Sequence, residues 1–163
     1  MRDAAQGVNA THGVLSHPPL PHALGAAGAL LRATLAARSL HGFDPAPALV
    51  VQAGAPGEAL AALARRAGLP VVREAFADRA YEPDGTLRAR ALPGAVLADP
   101  ALAAAQATEI ARRRRVACVA GWLPLHANTV CVHSDSPGAV ALASAVRAAL
   151  ARPAPDASTR SGA

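Results

Sequence analysis

The stretch "ALVVQAGAPGEALAALARRAGLPVVREAFA", residues 48–77, constrains the fold more than any other. Two short apolar runs, Ala48–Gly54 and one beginning at Leu69, flank an amphipathic segment, Pro56–Gly68. That segment has proline near its start and glycine at its end, the usual asymmetry of a helix. A short apolar run closed by a turn residue reads as a buried strand. Two strands joined by a helix run parallel, since antiparallel neighbours need only a tight hairpin. The alternation continues down the chain. A polar loop covers Tyr81–Leu97, and Asp99 is placed to cap a helix that begins at Pro100. An apolar run follows at Val116–Gly121, then a strand at Thr129–His133 and a last helix at Pro137–Leu150. A further helix, weakened by two glycines, is expected over His22–Leu40. Such repetition predicts an α/β fold of mostly parallel strands with outer helices. Residues 1–151 make one domain, and the polar tail 152–163 reads as disordered.

Composition narrows the classes. Apolar residues make up 52% of the 163 residues but aromatics only 2%, so the core must be built from Ala, Leu and Val. No apolar run is long enough to span a bilayer. The N-terminus lacks a basic segment followed by an apolar one, so no secretory signal is read. Two cysteines, Cys118 and Cys131, make no disulfide framework, and a cytoplasmic protein with reduced thiols is expected. The net charge of +5 comes from arginine alone among the strong bases, as no lysine is present. The run Arg112–Arg115 is read as closing the Pro100 helix, where cations complement the negative helix end. With no aromatic stacking platform beside it, a nucleic-acid partner is not expected.

Two strand ends carry the chemistry. In "TVCVHSDSPGA", Thr129 to Ala139, the two-residue beat of a strand puts Thr129, Cys131, His133 and Asp135 on one face, with Val130 and Val132 opposite. In "EAFADR" the same beat aligns Glu74, Phe76 and Asp78, with Arg73 and Arg79 opposite unless the backbone turns. In parallel sheets, ligands bind at the carboxyl ends of strands. Ionisable groups there are costly to bury unless paired. These two segments are therefore expected to adjoin, with His133, Asp135 and Asp78 facing one cleft.

The blocks "REAFADRAYEPDGTLRARALPGAVLADP" and "LPLHANTVCVHSDSPGAVALASAVRAAL" resemble the LamB/YcsF family, one of the component chains of the prokaryotic ATP-dependent 5-oxoprolinase. Glu74, Phe76, Asp78, Arg79, Tyr81, Asp84, Gly85, Arg90, Pro93 and Gly94 carry the first block, and Thr129, Cys131, His133, Asp135 and Pro137 the second. "THGVLSH" is similar to a further family segment, with His12 and Gly13 kept but the lysine before it replaced. The family's acidic N-terminal strand has no counterpart here.

The resemblance implies an irregular β/α barrel, of which this chain would supply a truncated part. Open sheet edges would then favour self-association. It also implies hydrolysis of the lactam of 5-oxoproline to glutamate, with ATP and nucleotide-borne Mg²⁺ as cofactors and two further subunits as partners. A non-catalytic remnant, serving as a binding or assembly module, is the alternative. On this reading Asp78, His133, Asp135 and His12 are candidate catalytic residues, and Arg79, Glu74 and Arg90 candidate substrate-binding residues. Each has a structural alternative. Asp78 could pair with Arg79, Arg79 could brace the following loop, and Glu74 could pair with Arg73. His133 could be a core histidine, and Asp135 could cap the last helix. Cys131 is assigned to packing.

Overall fold

A computed structural model of the chain describes residue 29 and residues 48–135 and 138–153. His12, the tail from 154 onward and, Ala29 apart, the helix expected over 22–40 lie outside the described residues.

The first unit is the strand–helix–strand that the sequence announces. Strand β1 (Leu49–Gln52) leads into helix α1 (Ala55–Arg66) and returns as β2 (Val71–Phe76). β1 and β2 pair in parallel, from Leu49 opposite Val71 to Gln52 opposite Glu74. Leu60, Ala61 and Ala64 of α1 pack on Leu49, Val51 and Leu69. The first turn of α1 presses on the strand end: a Cβ on Gly57 would lie 2.0 Å from the Gln52 carbonyl oxygen, so only glycine fits.

From β2 the chain passes through a long loop to helix α2 (Pro100–Arg113). The Asp99 carboxylate accepts from Ala101 N at 2.8 Å, which caps α2 where the sequence places the cap. The helix ends at Arg114 in the left-handed region, with φ 52°. β3 (Arg115–Cys118) and β4 (Gly121–Pro124) then form an antiparallel ribbon. The apolar run Val116–Gly121 is thus divided between two strands. The chain reverses ahead of Gly121, whose φ of 110° suits glycine. β5 (Thr129–Cys131) follows, and helix α3 (Ala139–Ala151) ends the described chain.

β5 pairs with β2 in parallel, with Glu74, Ala75 and Phe76 opposite Thr129, Val130 and Cys131. The sheet order is therefore β1–β2–β5, with β2 in the centre. No closed barrel is formed among the described residues. Val130 and Val132 turn to one side with Ala77, where they meet Ala103 and Ala107 of α2 and Leu142 and Val146 of α3. Ala77, Ala103, Ala107 and Leu142 are wholly buried. Alanine at these places lets both helices lie close to the sheet. Among the described residues, no helix is long and apolar enough to cross a membrane.

The arginine run is used inside the fold. Arg112 donates to the carbonyls of Ala149, at 3.0 Å, and Arg152 at the end of α3. Arg113 and Arg115 both bind Glu109, and Arg115 also lies 3.8 Å over the Trp122 ring. These contacts tie α2 to α3 and to the ribbon.

This packing sets a ranking of stabilities. Leu142→Ala should cost about 2–5 kcal/mol, because a wholly buried leucine leaves a cavity between two helices and the sheet. Asp99→Ala should cost only about 1 kcal/mol, the worth of one cap. Urea denaturation of the two variants beside the parent checks the order.

Candidate active site

The parallel pairing of β2 with β5 brings the two strand ends together. Asp78 follows β2 by two residues and His133 follows β5 by two, so each leaves the sheet on the same edge. The Asp78 side chain is 0% exposed and that of His133 is 23% exposed. His133 Nδ1 lies 2.9 Å from Asp78 Oδ1 and 3.1 Å from Oδ2. The backbone N–H of His133 donates to the same carboxylate at 3.0 Å. The His133 ring also stacks on Phe76, with centroids 5.2 Å apart.

Burial pulls the Asp78 carboxyl upward, but the hydrogen bonds from the ring and backbone of His133 outweigh it and hold the group below its ordinary value. Asp78 is thus ionised at neutral pH and can only accept. It follows that His133 Nδ1 carries a proton, and that in the neutral form of the ring the lone pair is on Nε2. No hydrogen bond to Nε2 is formed among the described residues. An imidazole held in this tautomer, with no partner for Nε2 among the described residues, can take a proton from a bound molecule.

Arg79 is nearly buried and points into the loop. Its Nε donates to the Ala95 carbonyl at 3.2 Å and its guanidinium to the Arg88 carbonyl at 2.7 Å. Asp78 pairs with His133 rather than Arg79. Glu74 does not pair with Arg73, which instead binds Glu58 at 2.9 Å. Burial, together with the nearby charges of Glu74 and Asp78, pushes the Cys131 thiol up to about 12. Cys131 is therefore a neutral packing group at physiological pH. Asp135 does not cap α3. That helix starts at Ala139 behind Gly138, with no side-chain cap, so the carboxylate lies too far upstream. Asp135 instead meets Arg90 from the loop, at 3.2 Å and exposed to solvent. One side of the site is thus a buried acid–imidazole pair, and the other an exposed Arg90–Asp135 pair.

Three further residues hold this edge in shape. Tyr81 folds back beneath β2, where its hydroxyl accepts from Phe76 N at 2.9 Å. Burial pushes its phenol upward, so it stays neutral. The Asn128 side-chain oxygen accepts from Arg73 N at 2.9 Å, and the Asn128 backbone N–H donates to the Arg73 carbonyl at 2.8 Å, which aligns β5 with β2. Gln106 of α2 donates to the carbonyls of Phe76, Ala77 and Arg79. Sequence reasoning assigns none of the three such a role. Gln106 does leave a signal: it sits beside Ala103, Ala107 and Ile110 at the edge of the buried face of an alanine-rich helix, where a polar residue needs a partner.

Comparison with known proteins agrees with this arrangement of blocks. The chain matches the LamB/YcsF family over residues 4–159. It is 51% identical over 106 residues to a 5-oxoprolinase chain, the A component, of Streptomyces griseus, a match covering 64% of this chain and 41% of that protein. It is 49% identical over 115 residues to the same component of the 5-oxoprolinase of Paracidovorax citrulli, covering 70% of this chain and 45% of that one. A solved structure, the lactam utilization protein from Thermus thermophilus, is 40% identical with a TM-score of 0.61, covering 72% of this chain and 44% of that one. The chain spans less than half the length of these relatives.

The depressed Asp78 carboxyl makes stability depend on pH with a defined sign. Its contribution is complete above the ordinary carboxylate value of about 3.9 and is lost as pH falls through the lower folded value. Urea midpoints measured between about pH 6 and pH 2 should therefore fall most steeply below about pH 4. Asp78→Asn should flatten that part of the curve. An equal acid limb in parent and variant would remove Asp78 as its source.

Proposed function

The chain belongs to the LamB/YcsF family, and from that premise we propose that it is part of an ATP-dependent 5-oxoprolinase, which opens the lactam of 5-oxo-L-proline to L-glutamate. The observation that carries the reading is the His133–Asp78 pair at the carboxyl edge of two adjacent parallel strands. The names of the similar proteins, which speak of 5-oxoprolinase and of lactam utilization, supply the substrate class.

A lactam is a stable amide and a poor electrophile, so water needs help at both ends of the bond. His133 Nε2 takes a proton from water as its oxygen bonds to the lactam carbonyl carbon. The resulting imidazolium is stabilised by the buried Asp78 carboxylate. As the C–N bond breaks, the ring returns that proton to the leaving nitrogen, which becomes the amino group of glutamate. Water is thereby added across the amide, and His133 ends as it began. Arg90, at the exposed side of the site, meets the substrate carboxylate in exchange for that of Asp135.

ATP is the co-substrate that drives the opening: its terminal phosphoryl group passes to the lactam oxygen with release of ADP, the water handled by His133 then adds to the activated carbon, and once the C–N bond has broken a second water frees the new carboxyl group and inorganic phosphate. Mg²⁺ arrives on the nucleotide, as is usual for phosphoryl transfer. Among the described residues no three His, Cys, Asp or Glu side chains gather as a metal cage. The described residues therefore do not fit a resident metal, and no step runs through one. The subunits that complete the enzyme are partners on this reading, and His12 belongs to the proposed site by its motif alone.

The test is glutamate release from 5-oxoproline with ATP and Mg²⁺, by the chain together with its partner subunits. Asp78→Asn and His133→Ala should each lower turnover by about a hundredfold or more, the range for loss of a general base. Cys131→Ala should change it little. Arg90→Ala should raise KM more than it lowers kcat. Parent-like turnover in His133→Ala would defeat the mechanism. An inactive parent with all subunits present would favour a binding or assembly role.

A further inference from the structure

The turn that carries Asp78 is tied at every carbonyl. The Asp78 carbonyl accepts from Leu97 N at 2.8 Å. The carbonyls on either side of it, those of Phe76, Ala77 and Arg79, converge on one atom, Gln106 Nε2, at 2.9, 3.1 and 2.8 Å. The flanking N–H groups are tied as well: Ala77 N donates to the Cys131 carbonyl at 2.9 Å and Ala80 N to the Ala95 carbonyl at 3.0 Å. Among the described residues, Gln106 is the one side chain that reaches three of these peptide groups.

Its amide can point only one way. Rotated by half a turn, it would place its own oxygen against three carbonyl oxygens, an arrangement of acceptors with no donor between them. No hydrogen bond among the described residues links Gln106 directly to Asp78 or His133. It fixes the peptides on both sides of Asp78, and through them the direction in which the carboxylate leaves the chain. His133 Nδ1 then finds that carboxylate within 3.1 Å of both oxygens. Gln106 is half-buried at the edge of the helix face formed by Ala103 and Ala107, which are 0% exposed. The side chain is explained by the three carbonyls it meets.

We propose that Gln106 is the positioning residue of the site, and that its amide sets the strand-exit turn so that Asp78 holds His133 in the tautomer with its proton on Nδ1. The inference rests on the His133–Asp78 pair as the proton-handling unit of the reaction proposed above.

Two readouts separate positioning from simple support of the fold. The first needs no activity: ¹⁵N NMR of the His133 ring in the full chain reports which nitrogen carries the proton. The second is kcat against KM in the assembled enzyme. Gln106→Met keeps the length of the side chain and removes the donor. It should shift His133 away from the Nδ1–H form and lower kcat by about 10–100-fold, the usual cost of losing a hydrogen bond that supports a functional side chain from behind. KM should stay within about twofold, since the Gln106 amide is engaged by backbone carbonyls. Gln106→Lys restores N–H donors and should recover part of both signals. Thr108→Val, which removes a hydrogen bond to the Ala104 carbonyl within the same helix, should leave both unchanged.

A parent-like His133 spectrum in Gln106→Met overturns the proposal. So does failure of both Gln106 variants to fold, because the amide would then be a pillar of the domain. Release of the Nδ1 proton with turnover unchanged upholds the positioning and overturns the base role of His133 instead.

Discussion

A buried carboxylate is the constraint around which the rest of the described structure is arranged. Asp78 has no exposed surface, and an ionised carboxylate in such a place is expensive unless its oxygens are fully engaged. Its partners come from a segment 55 residues away, as the ring and the backbone N–H of His133. That requires β5 beside β2, in parallel and in a register that ends both strands at one edge. A slip of one residue would turn His133 to the helix side, where Val130 and Val132 pack. The register is pinned from outside the pair by Asn128, which takes both backbone groups of Arg73.

The alanine-rich composition serves the same end. With almost no aromatic side chains, the core gains from close approach of backbones rather than from bulk. Ala77, Ala103 and Ala107 leave α2 near enough to the end of β2 for a glutamine to span the gap to three carbonyls. Larger residues at those positions would hold the helix off and take the Gln106 donor away from these three carbonyls. Phe76 and Tyr81 are used where bulk is needed. One forms the platform for the His133 ring, and the hydroxyl of the other closes the Phe76 N–H.

Much of this is legible in the sequence. The two-residue beats of Glu74, Phe76 and Asp78 and of Cys131 and His133 mark the faces, and the strand–helix–strand unit implies parallel pairing. Together they bring His133 to Asp78. The Asp99 cap and the short strands are local signals and can be read locally. The β3–β4 ribbon escapes such a reading because "VACVAGWLP" has no polar turn signal; only Gly121 marks the reversal. Asp135 reads as a cap only if α3 starts at Pro137, while the helix waits for Gly138. That Arg79 braces the following loop is one of the two readings its sequence position leaves open, and it is the contact formed; the partners of Arg73 and Arg90 cannot be read at all. Each depends on which loop lies beside which strand, a tertiary fact that no local pattern encodes.

The two halves of the site differ in stiffness, and the difference follows from burial. Arg79 gives its hydrogen bonds to loop carbonyls in a nearly closed space, so moving it would take a donor from the Arg88 carbonyl and leave Ala95 with the Ala80 N–H alone. Its place is in the frame, and its charge acts on the site from a fixed position. Arg90 and Asp135 stand in solvent, where an ion pair is worth about 0–1 kcal/mol. Such a pair exchanges partners at little cost. A carboxylate ligand offers Arg90 the same geometry that Asp135 offers, and the released Asp135 returns to water without penalty. On the function proposed above, such a site needs one face that does not move, to set the proton path through His133, and one that yields, to admit and release the substrate. The division between a buried pair from the strand ends and an exposed pair across the loop supplies both.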